Sequence, residues 1–198
     1  MITIIDYKSG NLKSISNGFK KIGCEVNITN DLEKIADSDY LVLPGVGAFG
    51  SAMENINEFK KVIHEHVNDD KAFLGICLGQ QVLMGSSEED PNIEGLNLFK
   101  GHCEYLPEGL KIPHMGWNKL NVVKDCPILN DINGQYFYFV HSYHVIPDED
   151  DIVVGTSNYG IDVVAALNRN NLFSTQFHPE KSGIAGLKIL KNFVNLEI

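Results

Sequence analysis

The spacing of apolar positions changes several times along the chain, and each change marks an element. Ile2–Tyr7 is an apolar, β-branched run closed by the turn cluster Lys8-Ser9-Gly10-Asn11, which predicts a core strand. From Leu12 to Ile22 the apolar residues Leu12, Ile15, Phe19 and Ile22 fall at helical spacing, and Gly23 ends the helix. Glu25–Thr29 and Tyr40–Leu43 are short strands, the second running into Pro44-Gly45-Val46-Gly47. Ser51–Val67 reads as one amphipathic helix, with Met53, Ile56, Phe59, Val62, Ile63 and Val67 on one face. Ala72–Cys77 is almost continuously apolar, as a strand buried on both faces must be, and Leu78–Met84 reads as helix. Strand and helix alternating in this way predict a parallel sheet with crossover helices.

Beyond about residue 96 the pattern shortens to β-like pieces: Trp117–Val123, Tyr136–Val140, Ile152–Thr156, Val163–Asn168 and Leu172–Phe177. Gly183–Leu196 closes the chain as a mostly apolar helix. The predicted fold is α/β: an open, mostly parallel sheet flanked by helices, with a smaller antiparallel β extension, in a single domain over 1–198. No repeat, low-complexity tract or linker divides it.

Composition narrows the function classes. The 198 residues are 43% hydrophobic and 21% charged, enough for one sizeable core. Sixteen Lys+Arg against 26 Asp+Glu leave a net charge of −10, with no basic run, so neither nucleic acid nor an anionic membrane is expected as a partner. No apolar stretch is long enough to span a bilayer, and the N-terminus lacks the pattern of a signal peptide. Cys24, Cys77, Cys103 and Cys126 have no framework spacing, which suits a reducing, cytoplasmic setting.

The most informative segment is Phe73-Leu-Gly-Ile-Cys-Leu-Gly-Gln-Gln81. A strand ends at Cys77, a helix starts at once, and Gly75 and Gly79 flank the cysteine two residues either side. That is the pattern of a nucleophile elbow, whose strand-to-helix turn admits only small neighbours. It lifts the thiol out at the carboxyl end of the sheet, and the N–H of Leu78 is free to serve as an oxyanion donor. The competing reading is a plain buried cysteine. A cysteine nucleophile needs a base and an orienting group, and His178-Pro179-Glu180 offers both after an apolar strand. In an extended chain His178 and Glu180 project to the same side, with Pro179 stiffening the link. Alone, that tripeptide reads more readily as surface loop, and the case rests on the combination. Pro44-Gly45-Val46-Gly47 can turn backbone N–H groups toward a carbonyl or anion, yet a plain strand-to-helix turn fits it as well. His64 and His66, His141 and His144, and the His102-Cys103 pair lack the spacing of a metal site, so no metal and no cofactor are expected.

PGVG, GICLGQQ and QFHPEKS, in this order over nearly the whole chain, resemble the class I (triad) glutamine amidotransferases. IIDYKSGNL at residues 4–12, PHMGWN at 113–118 and YFVHSY at 138–143 look like the branch that serves as glutaminase subunit of imidazole glycerol phosphate synthase, in histidine biosynthesis. The resemblance implies that Cys77 attacks the side-chain amide of L-glutamine, His178 acts as base and then acid, and Glu180 orients His178. It implies an oxyanion hole from Leu78 and the Gly45-Val46 peptide, and a glutamine pocket of Gly45, Gly47, Gln81, Glu89, Ser142 and Tyr143. It also implies a (β/α)8 cyclase partner, in a heterodimer that activates the glutaminase. The partner would combine ammonia with a phosphoribulosyl-formimino ribotide (PRFAR) to give imidazole glycerol phosphate and AICAR. Asn11, Trp117, Tyr138 and Lys181 match positions at that interface. Gln80 stands where the family usually has Met, and Lys8-Ser9 replaces a Gly-containing turn. Two alternatives stay open: the same chemistry feeding a surface-sugar amidotransferase, and a catalytically silent scaffold.

Overall fold

The computed structural model describes residues 1–197. Its first half is β1 (Ile2–Ile5), α1 (Leu12–Lys21), β2 (Val26–Thr29), α2 (Leu32–Ala36), β3 (Tyr40–Leu43), α3 (Phe49–Ile56), α4 (Lys60–Asn68), β4 (Ala72–Ile76) and α5 (Leu78–Gln81). The second half holds β5 (Ser86–Ser87), β6 (Gly101–Tyr105), β7 (His114–Lys119), β8 (Asn121–Val122), β9 (Tyr136–His141), β10 (Tyr143–Pro147), β11 (Val153–Asn158), β12 (Asp162–Arg169), β13 (Leu172–Thr175) and α6 (Gly183–Val194).

An eight-stranded sheet runs in the order β2-β1-β3-β4-β13-β12-β11-β8. It is parallel from β2 through β13 and antiparallel from there to β8. Beside it lie a three-stranded sheet, β10-β6-β5, antiparallel between β10 and β6 and parallel between β6 and β5, and the antiparallel ribbon β7-β9. Side-chain parity sorts the core into two layers. Ile4, Val42 and Leu74 point to the face covered by Ile15 and Phe19 of α1 and Ile189, Leu190 and Phe193 of α6. Leu41, Leu43 and Phe73 point to the other, covered by Met53, Ile56 and Ile63 of α3 and α4. Each of these side chains, taken fully out of water, contributes about 1.5–3 kcal/mol.

Three sequence expectations change. The helix predicted over Ser51–Val67 is two helices joined by a 3-10 turn at Asn57–Phe59. Met53, Ile56, Phe59 and Val62 are spaced by threes, and tightening one turn to three residues keeps Phe59 facing inward. The strand predicted over Trp117–Val123 breaks at buried Leu120, so that β7 joins the ribbon while β8 edges the main sheet. The helix predicted over Leu78–Met84 is the single turn α5. No helix among the described residues is long and apolar enough to cross a membrane.

Candidate active site

The site is built at the carboxyl ends of the parallel strands, where β4 meets α5. Cys77 is the joint, at φ 57°, ψ −110°, a conformation that strains any residue with a side chain. The flanking glycines are needed by space. A Cβ on Gly75 would lie 2.7 Å from the Gly79 carbonyl oxygen, and one on Gly79 would overlap the Leu43 carbonyl oxygen. Leu78 heads α5, where backbone N–H groups have no intrahelical acceptor.

β13, next to β4, delivers the histidine. His178 is extended, and the chain then tightens into a 3-10 turn over Pro179–Lys181 rather than continuing straight. That turn brings Glu180 Oε1 to 2.9 Å from His178 Nδ1. Both side chains are shut from solvent, at 2% and 0% exposure. The loop is stitched to β9: His178 N–H donates to the Tyr138 carbonyl, and Tyr138 N–H donates to Ser182 Oγ, whose own O–H donates to the His178 carbonyl. Burial alone would pull the imidazole pKa down. The Cys77 side chain and the Glu180 carboxylate outweigh it and raise it from 6.5 to about 9. His178 Nε2 has no partner among the described residues, and hydrogen bonds of this kind tighten when substrate arrives.

A cavity of about 540 Å³ opens above the pair, the size class of small-ligand sites. Its walls include Val46, Gly47, Cys77, Leu78, Gln81, Glu89, Ser142, Tyr143 and His178. The sequence-predicted pocket residues therefore share one space, with two set behind it. Gly45 packs on α5, where a Cβ would lie 2.6 Å from Gly79 N, and Glu180 stands behind His178. The Pro44–Gly47 backbone is tied from the turn that follows β1. Tyr7 hydroxyl donates to the Pro44 carbonyl at 2.6 Å, and Ser9 Oγ–H donates to the Val46 carbonyl at 2.7 Å. Burial pushes the Tyr7 phenol pKa up, so it stays a donor. Glu89 and Asp90 accept the first free N–H groups of α3, from Phe49 and Gly50, each at 2.8 Å.

Two polar groups at the site escaped sequence reading. Gln176, wholly buried, lies between Gln81 and Cys77. His141 lines the cavity, and its Nδ1–H donates to the Tyr143 carbonyl at 2.9 Å. Its Nε2 must then accept, from His114 Nδ1–H at 3.0 Å. Burial lowers both rings, His114 to about 4 and His141 to about 3, which keeps them neutral and this donor order fixed. The one available signal was parity: Gln176 and His178 are two residues apart on one run.

The four residues expected at a partner interface divide. Trp117 and Tyr138 are cross-strand partners on β7 and β9, edge-to-face with centroids 6.3 Å apart. Lys181 Nζ lies 5.8 Å from the Tyr138 ring centroid. Trp117 is 56% exposed, and Met115 and Ile184 are exposed as well. Asn11 is occupied in capping α1, its Oδ1 accepting from Ser14 N–H at 3.3 Å. Among the described residues no group of three or more His, Cys, Asp or Glu could hold a metal ion.

Residues 3–196 match the protein family described as glutamine amidotransferase class-I. The chain is 50% identical over 196 residues to imidazole glycerol phosphate synthase subunit HisH of Methanothermobacter thermautotrophicus, covering 99% of this chain and 98% of that protein. It is 52% identical over 197 residues to the subunit of the same name from Methanocaldococcus jannaschii, covering 99% and 100%. Solved structures share the fold at lower identity. A glutamine amidotransferase superposes with TM-score 0.78 at 16% identity, and PurLQS from Thermotoga maritima with 0.76 at 19%; each match covers 98% of this chain and 97% of the other.

Proposed function

The chain belongs to the class I glutamine amidotransferase family, and on that footing we propose that it is the glutaminase subunit of an imidazole glycerol phosphate synthase. It hydrolyses L-glutamine to glutamate and passes the ammonia to a (β/α)8 cyclase in histidine biosynthesis. The observation that carries this reading is the elbow cysteine beside a buried His178–Glu180 pair at the floor of one cavity. Relatives half identical over nearly their full length, named as subunits of imidazole glycerol phosphate synthase, support this choice of acceptor.

The chemistry follows from the residues. Cys77 gives its proton to His178, and the sulfur attacks the side-chain carbonyl carbon of glutamine. Negative charge on the oxygen meets the Leu78 N–H and a backbone N–H of the Gly45-Val46 peptide. As the C–N bond breaks, His178 returns the proton to the leaving nitrogen, which departs as ammonia, and Cys77 is left as a γ-glutamyl thioester. His178 then takes a proton from water, the hydroxide displaces the thiolate, and glutamate leaves. Glu180 holds the imidazole in one tautomer and stabilises its cation through each transfer. The charge it neutralises is buried, so the ion pair is strongest where the proton is moving.

The exposed face around Trp117, Tyr138 and Lys181 is the docking surface in this reading. Docking switches the site by turning the Pro44–Gly47 backbone, and the Ser9 bond to the Val46 carbonyl is the tie that such a turn breaks. The test is glutamate release by the chain alone, with the cyclase, and with the cyclase plus its ribotide. Release that appears with the partner and rises with the ribotide supports the reading. A chain that stays silent with every imidazole-forming cyclase, or a Cys77→Ala variant that still releases glutamate, overturns it.

A further inference from the structure

Gln176 has no place in the mechanism above, yet it is wholly buried and its amide reaches the nucleophile. Nε2 lies 3.8 Å from Cys77 Sγ, within hydrogen-bond reach of sulfur, and Oε1 lies 3.1 Å from Gln81 Nε2. The direction of these bonds is not free. A backbone carbonyl can only accept, so the Gln81 atom 2.9 Å from the Tyr143 oxygen must be its NH2 group. That NH2 also meets Gln176, which must therefore present its oxygen. Its remaining face, aimed at Cys77, is then an NH2. Two amides in series carry the polarity of a carbonyl in the pocket wall to the sulfur.

We propose that Gln176 is a catalytic residue whose Nε2–H stabilises the Cys77 thiolate, with Gln81 and the Tyr143 carbonyl as the positioning groups that set its polarity. This rests on Cys77 being the nucleophile, as proposed above. A neutral thiol gains little from a weak donor, whereas a thiolate is a charged acceptor, and hydrogen bonds to charged groups are the stronger class. The bond therefore favours the reactive form and does so before substrate arrives. It also supplies a second support for negative sulfur when hydroxide expels the thiolate from the thioester. The Val140 carbonyl, 3.9 Å from Sγ, is the acceptor that the thiol proton leaves.

Other titratable groups face Cys77: His178 with Glu180 behind it, Tyr7 from the segment after β1, His141 from β9, and Glu89 across the cavity. All remain in a Gln176 variant, so the difference from wild type reports on the amide alone. Gln176→Met keeps the length of the side chain and removes the donor. Gln176→Glu still accepts from Gln81 but turns a carboxylate oxygen to the sulfur.

The experiment is the pH dependence of Cys77 alkylation by iodoacetamide in the full chain, read peptide by peptide, with half-exposed Cys24 as internal reference. The midpoint for Cys77 is expected to rise by about one pH unit in Gln176→Met, with about tenfold slower alkylation at neutral pH, and further in Gln176→Glu, while Cys24 is unmoved. Folded variants whose Cys77 midpoint matches wild type overturn the proposal. Should neither variant fold, the Gln176 side-chain NH2 resonance of wild type decides. It is expected to shift with the same midpoint as Cys77 alkylation, and an invariant resonance overturns the proposal. A wild-type Cys77 that resists alkylation at every pH contradicts its assignment as nucleophile as well, which separates the two failures.

Discussion

Gln80 shows what a single residue can cost at such a site. It is 0% exposed, and among the described residues neither its Oε1 nor its Nε2 finds a hydrogen-bond partner. An amide buried in this way forfeits about 1–3 kcal/mol. Methionine has nearly the same length and no group to satisfy. Gln80→Met is therefore expected to stabilise the chain by about 1–2 kcal/mol, raising the thermal midpoint by about 2–6 °C. Thermal denaturation followed by circular dichroism checks it, and an unchanged or lowered midpoint would show that the amide is satisfied. At this scale the sequence is legible where chemistry depends on neighbours along the chain. Cys77 between Gly75 and Gly79, and His178 two residues from Glu180, announce themselves in that way. Gln176 does not, because its partners Gln81 and Cys77 are almost a hundred positions away and only the β4–β13 pairing brings them close.

Among the elements, the turn from β4 into α5 carries the strain. Cys77 holds a positive φ with a side chain attached, at a cost of about 1–3 kcal/mol. Glycine adopts that conformation freely but loses about 0.5–1 kcal/mol in unfolded-state entropy relative to alanine. Cys77→Gly is thus expected to be more stable than Cys77→Ala by about 1 kcal/mol, both being without a nucleophile. Urea midpoints at equal slope measure the difference, and equal midpoints would mean that the elbow stores no strain. The same scale shows why some elements escape the sequence pattern. Leu32–Ala36 is too short for a period to emerge, and what makes it a helix is the Asp31 side chain accepting from Glu33 N–H. Trp117–Val123 alternates like one strand, but Leu120 N–H is claimed by the Gln135 carbonyl, and the run is divided between two sheets. Local pattern finds strands; long-range pairing assigns them.

For the whole molecule, buried histidines of opposite kind set the pH range of stability. His178 is raised to about 9 in the folded chain, against 6.5 unfolded. The stability it contributes is complete below about pH 6.5 and is lost as pH rises toward 9. His114 and His141 are lowered to about 4 and 3, so their contribution is present above about pH 6.5 and is lost as pH falls toward those values. Together they place maximum stability near pH 6.5, with a decline on each side. Urea denaturation across pH measures the profile. Glu180→Gln is expected to flatten the alkaline limb, since it removes a carboxylate that raises His178. A profile that climbs steadily to pH 9 would contradict this charge state for the site.

The central claim is that Cys77 carries the glutamyl group. Rapid acid quench of the chain turning over glutamine with its cyclase, followed by peptide mass spectrometry, tests it most directly. One glutamyl acyl group is expected on the peptide bearing Cys77, sensitive to hydroxylamine and absent from Cys77→Ala. Sustained glutamate release with that peptide unmodified and no acyl transfer in single-turnover experiments, or an acyl group on Cys24, Cys103 or Cys126 instead, would contradict it.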